Sequence, residues 1–227
     1  MTRAPAFAWD AATAEYYDQR APEYDEWYLG EGRFASRDRP GWDVEVADLV
    51  RLVQGLAPAR TLDMACGSGF LTRHLRGPVV GPDRSPAMAA LARSRLGDGS
   101  VLVGDALALP FPDGAFERLF TGHFYGHLPA DERVAFLGEA RRVARELVVV
   151  DSAVRPGVPA EEWQDRVLND GSRHRVYKRY LSGERLADEL GGEVLMAGTW
   201  FVAARTSAQS RGPRRPVSVT VHPCPST

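Results

Sequence analysis

The ten residues Thr61-Leu62-Asp63-Met64-Ala65-Cys66-Gly67-Ser68-Gly69-Phe70 constrain this chain more than any other stretch. A punctuated turn, Gly55-Leu56-Ala57-Pro58-Ala59-Arg60, precedes them, and Leu71-Thr72-Arg73-His74-Leu75 follows with helical apolar spacing. The segment therefore reads as a short buried strand, a glycine-rich turn and the start of a helix. Glycine at 67 and 69 leaves no Cβ between the backbone and whatever occupies the turn. The N–H groups of a helix start add partial positive charge, which suits an anionic or electron-rich ligand. Asp63, at the strand's end, can order the loop or take a ligand ammonium through a charge-assisted contact. Many doubly wound proteins carry such a turn, so alone it marks a nucleotide-type site only weakly.

Two further landmarks keep step with it. Val79-Val80-Gly81-Pro82-Asp83 reads as a second strand ending in an acid, about twenty residues beyond Asp63, the offset at which a carboxylate takes ribose hydroxyls. Ser100-Val101-Leu102-Val103-Gly104-Asp105-Ala106 reads as a third strand that also ends in an acid. Three acids at one carboxyl edge are more than scattered surface charge provides.

With these residues in view, the chain resembles the class I S-adenosylmethionine (SAM)-dependent methyltransferases. Leu62 to Gly69 resembles the family's motif I, Asp83 its ribose-binding acid and Gly104-Asp105-Ala106 its adenine-contacting loop. Leu109-Pro110-Phe111-Pro112-Asp113-Gly114-Ala115-Phe116-Glu117 resembles the stretch before the family's fourth strand. The likeness covers about residues 14–206. Ala65 stands where the first motif glycine is usual, Pro82 precedes the second acid, and Glu117 replaces an aspartate. The resemblance implies an α/β fold, a doubly wound, seven-stranded, mostly parallel sheet of order 3-2-1-4-5-7-6. It implies SAM as cofactor and S-adenosylhomocysteine as product. It places Asp63, Ala65, Gly67, Gly69, Asp83, Asp105 and Ala106 at the cofactor, with Arg84 and Met88 flanking the adenine.

Composition fits one ordinary domain: 227 residues, formal net charge −2, 44% hydrophobic and 26% charged. That balance offers no electrostatic footprint for nucleic acid or an anionic membrane. No apolar run is long enough for a membrane span, and Met1-Thr2-Arg3-Ala4-Pro5 does not open a signal peptide. Cys66 and Cys224 form neither a disulfide framework nor a metal set, so no metal ligand is assigned and a cytoplasmic setting is expected.

Along the chain, the first dozen residues read as loosely attached. Residues 14–29 are dense in aromatics, with Tyr17, Tyr24 and Tyr28 at helical or near-helical spacing and Pro22 breaking two short helices. Such a stripe packs on a core as readily as it serves function. In the family, a "YD..A..YD" element closes over the cofactor, and Tyr17 and Tyr24 fall on its tyrosines. Residues 1–45 are accordingly expected to be an arm and lid that excludes water. Residues 46–206 would be the cofactor-binding core. A helix leads into the first strand from Trp42 to Leu56, and Ser85 with Pro86 can start another over Pro86–Leu96, stopped by Gly97-Asp98-Gly99. Arg118–Gly122 and Glu146–Asp151 read as strands four and five, the latter nearly all apolar as burial on both faces demands. A helix between them opens at Asp131. Regular alternation stops over 152–182, an insertion where the family usually contacts its acceptor. A short helix over 183–190 and strands at 193–198 and 200–205 close the fold. The tail from 207 to 227, with four prolines among serines and threonines, reads as disordered.

Methyl transfer from a sulfonium needs a nucleophile held in line about 3 Å from the methyl carbon. Aromatic walls suffice, and Tyr17, Tyr24, Trp27, Phe124 and Tyr125 can supply them. A base helps when the acceptor must lose a proton, and His127 and His123 are the candidates, with His123 also beside the cofactor. Packing and capping explain both histidines equally well at this level. Tyr28, Tyr125, Trp163, His174 and Tyr180 are the acceptor-contact candidates. The expected activity is O- or N-methylation of a small molecule in natural-product metabolism, antibiotic biosynthesis included, by a chain that can pair as a homodimer. C-methylation of quinone type and a non-catalytic SAM- or nucleotide-binding module are the alternatives. NAD-binding enzymes fit less well, because Thr72 occupies the third glycine position of their fingerprint.

Overall fold

Strand β5 (Ala144–Ser152) shows why the sheet forms. Leu147 and Val149 point into one hydrophobic cluster, Val148 and Val150 into a second on the opposite face. Alternate side chains of a strand point to opposite faces, so an unbroken apolar run needs cover on both sides. Each such side chain contributes about 1.5–3 kcal/mol on burial. The computed structural model describes residues 11–96 and 100–206. The expected helix stop at 97–99, the first ten residues, and the tail with Cys224 lie outside the described residues.

Strands β1 (Thr61–Asp63), β2 (Val79–Asp83), β3 (Ser100–Val103) and β4 (Phe116–Gly122) run parallel to one another and to β5. After an antiparallel hairpin, β6 (Glu161–Val167) with β7 (Arg173–Arg179), strands β8 (Gly192–Ala197) and β9 (Phe201–Thr206) complete the sheet. Its order is β3-β2-β1-β4-β5-β9-β8, with β9 antiparallel to β5. Setting the separate hairpin aside, this is the expected 3-2-1-4-5-7-6 order.

The chain enters through α1 (Ala11–Arg20) and the one-turn α2 (Glu26–Leu29), separated by a 3₁₀ turn that contains Pro22. α3 (Trp42–Gly55) buries Leu49 and Val53 beneath the sheet. α4 (Pro86–Leu96) begins where Ser85 accepts a hydrogen bond from the Met88 N–H at 3.1 Å, the predicted cap. α5 (Ala130–Val143) and α6 (Gly183–Leu190) follow, the latter capped by Ser182 and stopped at left-handed Gly191. Among the described residues no helix is long and apolar enough to cross a membrane.

Two expectations are corrected. The helix predicted after the glycine turn is only a 3₁₀ turn, Thr72–His74. The turn occupies the chain as far as Leu71, Leu75 is already extended, and Pro78 disfavours helix at Gly77, so a full helix has no room. The positive end of a long helix therefore does not supply charge at the turn. The irregular insertion over 152–182 is the β6–β7 hairpin, turning at Asp170-Gly171 with Gly171 at φ 87°.

Ala65 sits at φ 57°, in the left-handed region that costs a residue with a Cβ roughly 1–2 kcal/mol. Ala65→Gly is expected to stabilise the protein by about 1 kcal/mol in urea unfolding, the strain relieved exceeding the entropy added to the unfolded chain. Equal or lower stability would mean that the Ala65 methyl packs well enough to offset its backbone.

Candidate active site

The carboxyl ends of β1, β2, β3 and β4 open onto a cleft enclosing about 690 Å³ of space, part of it open to solvent. Its walls include Tyr17, Tyr24, Ala65, Gly67, Asp83, Arg84, Met88, Asp105, Ala106, His123 and His127, eleven of the residues singled out from sequence. Thr13 and Ser85 add to them, as does Phe124, one of the aromatic walls expected from the sequence. A Cβ on Gly67 would meet the Tyr24 ring at 3.5 Å, so glycine keeps the aromatic lid close to the turn. Gly69 is not on this wall. A Cβ there would lie 3.4 Å from the Ala92 Cα, so its small size lets α4 pack against the turn.

Asp83 is the hub. One carboxylate oxygen accepts the Gly67 N–H at 2.8 Å and the other the Ser85 N–H at 2.9 Å. Each oxygen keeps a second lone pair for a ligand hydroxyl. Burial pushes the Asp83 carboxyl up to about 6, against the pull of those backbone donors. Asp63 lies behind, in a small adjoining cavity of about 270 Å³ with Tyr24, Tyr28 and Phe70. Its Oδ1 is buried and has no hydrogen-bond partner among the described residues, and burial pushes its carboxyl up to about 7. An orphaned, acceptor-only oxygen beside a glycine cradle fits the ammonium of an amino-acid ligand, and Asp83 fits a ribose diol. Met88, Ala106 and Phe124 offer apolar cover of the kind an adenine needs. The residues present therefore fit SAM.

Both histidines sit where β4 ends. His123 adopts φ 58°, which turns its ring into a cage of Trp27, Tyr28 and Phe201, centroids 4.8, 5.6 and 5.5 Å away. Neither ring nitrogen has a hydrogen-bond partner among the described residues, and burial pulls its pKa down to about 3. His127 places Nδ1 2.6 Å from the Tyr177 carbonyl. A carbonyl only accepts, so Nδ1 carries the proton and Nε2 is the lone-pair nitrogen of the neutral ring. Burial, with Lys178 and Arg166 nearby, holds His127 well below the ordinary histidine range.

A second, larger cavity of about 2130 Å³, open to solvent, adjoins the first. Trp163 and Tyr180, two of the acceptor-contact candidates, line it. Three other candidates do not reach it. Tyr28 stacks on Phe70 at 4.0 Å, because its place on α2 turns it into the core. Tyr125 donates its hydroxyl to Glu189 at 2.8 Å on the far side of β4. His174 leans on the Tyr16 ring, 5.1 Å between centroids, behind the cavity wall.

Two aspartates escaped sequence reasoning although they belong to the same "YD" pairs as Tyr17 and Tyr24. Asp18 Oδ1 accepts from the Ser85 hydroxyl at 2.5 Å and the Ala87 N–H at 3.1 Å, at the start of α4. Asp25 accepts from the Ser68 hydroxyl at 2.5 Å and pairs with Arg95 at 2.5 Å, at the end of α4. The aromatic segment is thus tied down at both ends of one helix.

Because the folded Asp63 carboxyl keeps its proton to a higher pH than an unfolded one, the folded chain binds the extra proton between about pH 4 and 7. Its contribution to stability therefore declines as pH rises across that window. Asp63→Asn, which mimics the protonated form, is expected to be more stable than the parent at pH 8, by an amount of order 1–4 kcal/mol, and equal to it near pH 4. Urea unfolding of the ligand-free proteins across this range checks it, and a parent that gains on the variant with pH would contradict it.

Known proteins agree with this geometry. A family model described as "Methyltransferase domain" matches residues 62–148. A demethylmenaquinone methyltransferase from Thermotoga maritima is 34% identical over 102 residues, covering 43% of this chain and 44% of the relative. Ajmaline N-methyltransferase from Rauvolfia serpentina is 28% identical over 193 residues, covering 69% of this chain and 64% of the relative. The chain thus spans less than two thirds of either relative. Among solved structures, the DhpI–SAH complex superposes with a TM-score of 0.67 at 26% identity, covering 88% of this chain and 97% of the other. The sheet order, the acids at its carboxyl edge and these likenesses converge: residues 62–148 match a methyltransferase domain, and the chain is similar to the class I SAM-dependent methyltransferases, a family whose cofactor is S-adenosylmethionine.

Proposed function

We propose that this protein transfers a methyl group from SAM to an oxygen or nitrogen of a small-molecule acceptor in secondary metabolism, antibiotic assembly included. One observation carries the reading: Tyr17, Tyr24, His123 and His127 wall both cavities at once. A cofactor-sized cleft and a roomier chamber therefore share a single aromatic and imidazole partition, where two bound molecules would meet. When bound, SAM supplies a methyl group on a positively charged sulfur. Asp83 would hold its ribose and Asp63 its ammonium, while Tyr17 and Tyr24 cover the cleft with electron-rich rings. Residues up to about 45 act as the lid, latched through Asp18 and Asp25. His127 Nε2 takes the proton from an acceptor hydroxyl, and the Tyr177 carbonyl keeps the ring in the tautomer that can do so.

Quinone C-methylation is less well supported. The larger cavity is lined by many charged side chains, which suits a polar acceptor better than a hydrocarbon-bearing one. The similarity to ajmaline N-methyltransferase supports nitrogen as an acceptor atom.

Three measurements test the reading. Asp83→Ala is expected to weaken SAM binding at least tenfold in titration calorimetry, the loss of a charged hydrogen bond being about 1.5–3 kcal/mol; unchanged affinity would remove Asp83 from the ribose. His127→Gln is expected to lower kcat about 10²-fold or more toward an alcohol or phenol, and full activity would remove it as base. Because burial keeps His127 unprotonated, kcat of the parent at saturating SAM should stay flat between pH 6 and 8. A fall centred near pH 6.5 would point to a different base.

A further inference from the structure

The larger cavity is cationic in an unusual way. Arg20 from α1, Arg33, Arg37 and Arg39 from the segment before α3, Arg155 after β5 and Arg166 from β6 all line it. Among the described residues none of the six has a carboxylate within ion-pair distance, although arginines elsewhere do: Arg118 pairs with Glu146 at 2.6 Å and Arg95 with Asp25 at 2.5 Å. The cavity arginines take neutral partners instead. Arg33 donates to the Leu168 carbonyl, Arg155 to that of Ala153, and Arg166 to Gln164. The sharpest feature is at Tyr16, whose hydroxyl receives Arg20 at 2.5 Å and Arg166 at 3.3 Å. Two guanidiniums meet at one phenol oxygen with no carboxylate between them.

The cavity's own acids answer this charge only in part: four carboxylates, Glu23, Asp38, Glu162 and Asp165, line it with six arginines. Glu23 is engaged by the Asn169 N–H at 2.7 Å and Glu162 by the Gln164 amide at 2.7 Å. Asp38 and Asp165 also line the space, but they make no ion pair with an arginine among the described residues. The chain's single lysine, Lys178, is already spent on buried Asp151 at 2.6 Å. Like charges gathered around one cavity repel, and Arg37 is held below the ordinary guanidinium range by partial burial and then by Arg166, Arg20 and Arg33. An anion brought to this place would be received by several planar donors at once, the arrangement that suits carboxylate and phosphoryl oxygens.

We propose that the methyl acceptor carries a carboxylate or phosphoryl oxyanion, which Arg20 and Arg166 hold beside Tyr16 while Arg33 and Arg37 add charge from the loop before α3. This rests on the methyltransferase reading and names the acceptor class for that site. A cofactor carboxylate answers one positive charge, and the cluster holds more than one.

The test is calorimetric titration of the full-length protein, saturated with S-adenosylhomocysteine, by three ligands of matched size: phenylphosphonate, benzoate and benzyl alcohol. At least one anion is expected to bind ten or more times tighter than the alcohol, and to weaken as sodium chloride rises. The two anions distinguish phosphoryl from carboxylate recognition. Arg166→Gln and Arg37→Gln should each weaken anion binding at least fivefold at an unchanged unfolding midpoint, and Arg37, on an exposed loop, guards against a folding defect at Arg166. Equal affinity for alcohol and anions, or anion affinity unmoved in both variants, would overturn the proposal. So would anion binding that S-adenosylhomocysteine abolishes, since the arginines would then serve the cofactor's own carboxylate. Failure of S-adenosylhomocysteine to bind at all would refute the methyltransferase reading instead, and the anion titrations without it would still decide the oxyanion site.

Discussion

The structure turns on a single buried carboxylate. Asp83 closes β2, and its two oxygens reach back to the glycine turn after β1 and forward to the start of α4. Hydrogen bonds to a charged group are each worth about 1.5–3 kcal/mol, yet burial still raises this acid to about 6. The carboxylate is therefore kept in an unfavourable environment by backbone donors that have no other strong partner. Without it the turn at Gly67 would lose its anchor to the neighbouring strand, and the cleft would lose its floor. On the proposed reading the same atoms that shape the fold also take the ribose, so stability and binding draw on one interaction.

From that hub the site follows the topology of the sheet. β1 lies between β2 and β4, where the strand order reverses, and crevices at such points are open because flanking connections diverge to opposite faces. Asp63, Asp83 and His123 all stand at strand ends along this crevice. The later elements build the second chamber: the loop after β5, the β6–β7 hairpin and the N-terminal segment furnish its arginines and aromatics. The strand ends thus line the first cavity, and the parts outside the sheet furnish much of the second.

The first cavity was legible because its signals are local. Glycine at 67, an acid at each strand end and a serine–proline helix start all act within a few residues of where they stand. The missing helix after Gly69 was misread because apolar spacing over five residues does not register how much chain the turn consumes before Pro78. The hairpin was missed for a related reason: Glu161 to Val167 is a charged strand with weak apolar alternation, and only Asp170-Gly171 announced it. Tyr28, Tyr125 and His174 show the limit most clearly. Their residue types suited an acceptor site, but the direction in which a side chain leaves its helix or strand is set by tertiary packing. The gathering of Arg20, Arg33, Arg37, Arg155 and Arg166 depends on contacts across more than a hundred residues, so no window of sequence displays it.

The latching of the aromatic segment has a mechanical consequence. Asp18 grips the first turn of α4 and Asp25 its last, so the segment spans the helix as a strap fastened at two points. One fastening alone does not free it: releasing Asp25 leaves Tyr17 pinned, and releasing Asp18 leaves Tyr24 pinned. Lifting the segment off α4 then takes the joint rupture of two contacts about 12 Å apart along the helix, by its 1.5 Å rise per residue. The hold on Tyr17 and Tyr24 is therefore a property of α4 as much as of the pocket they line.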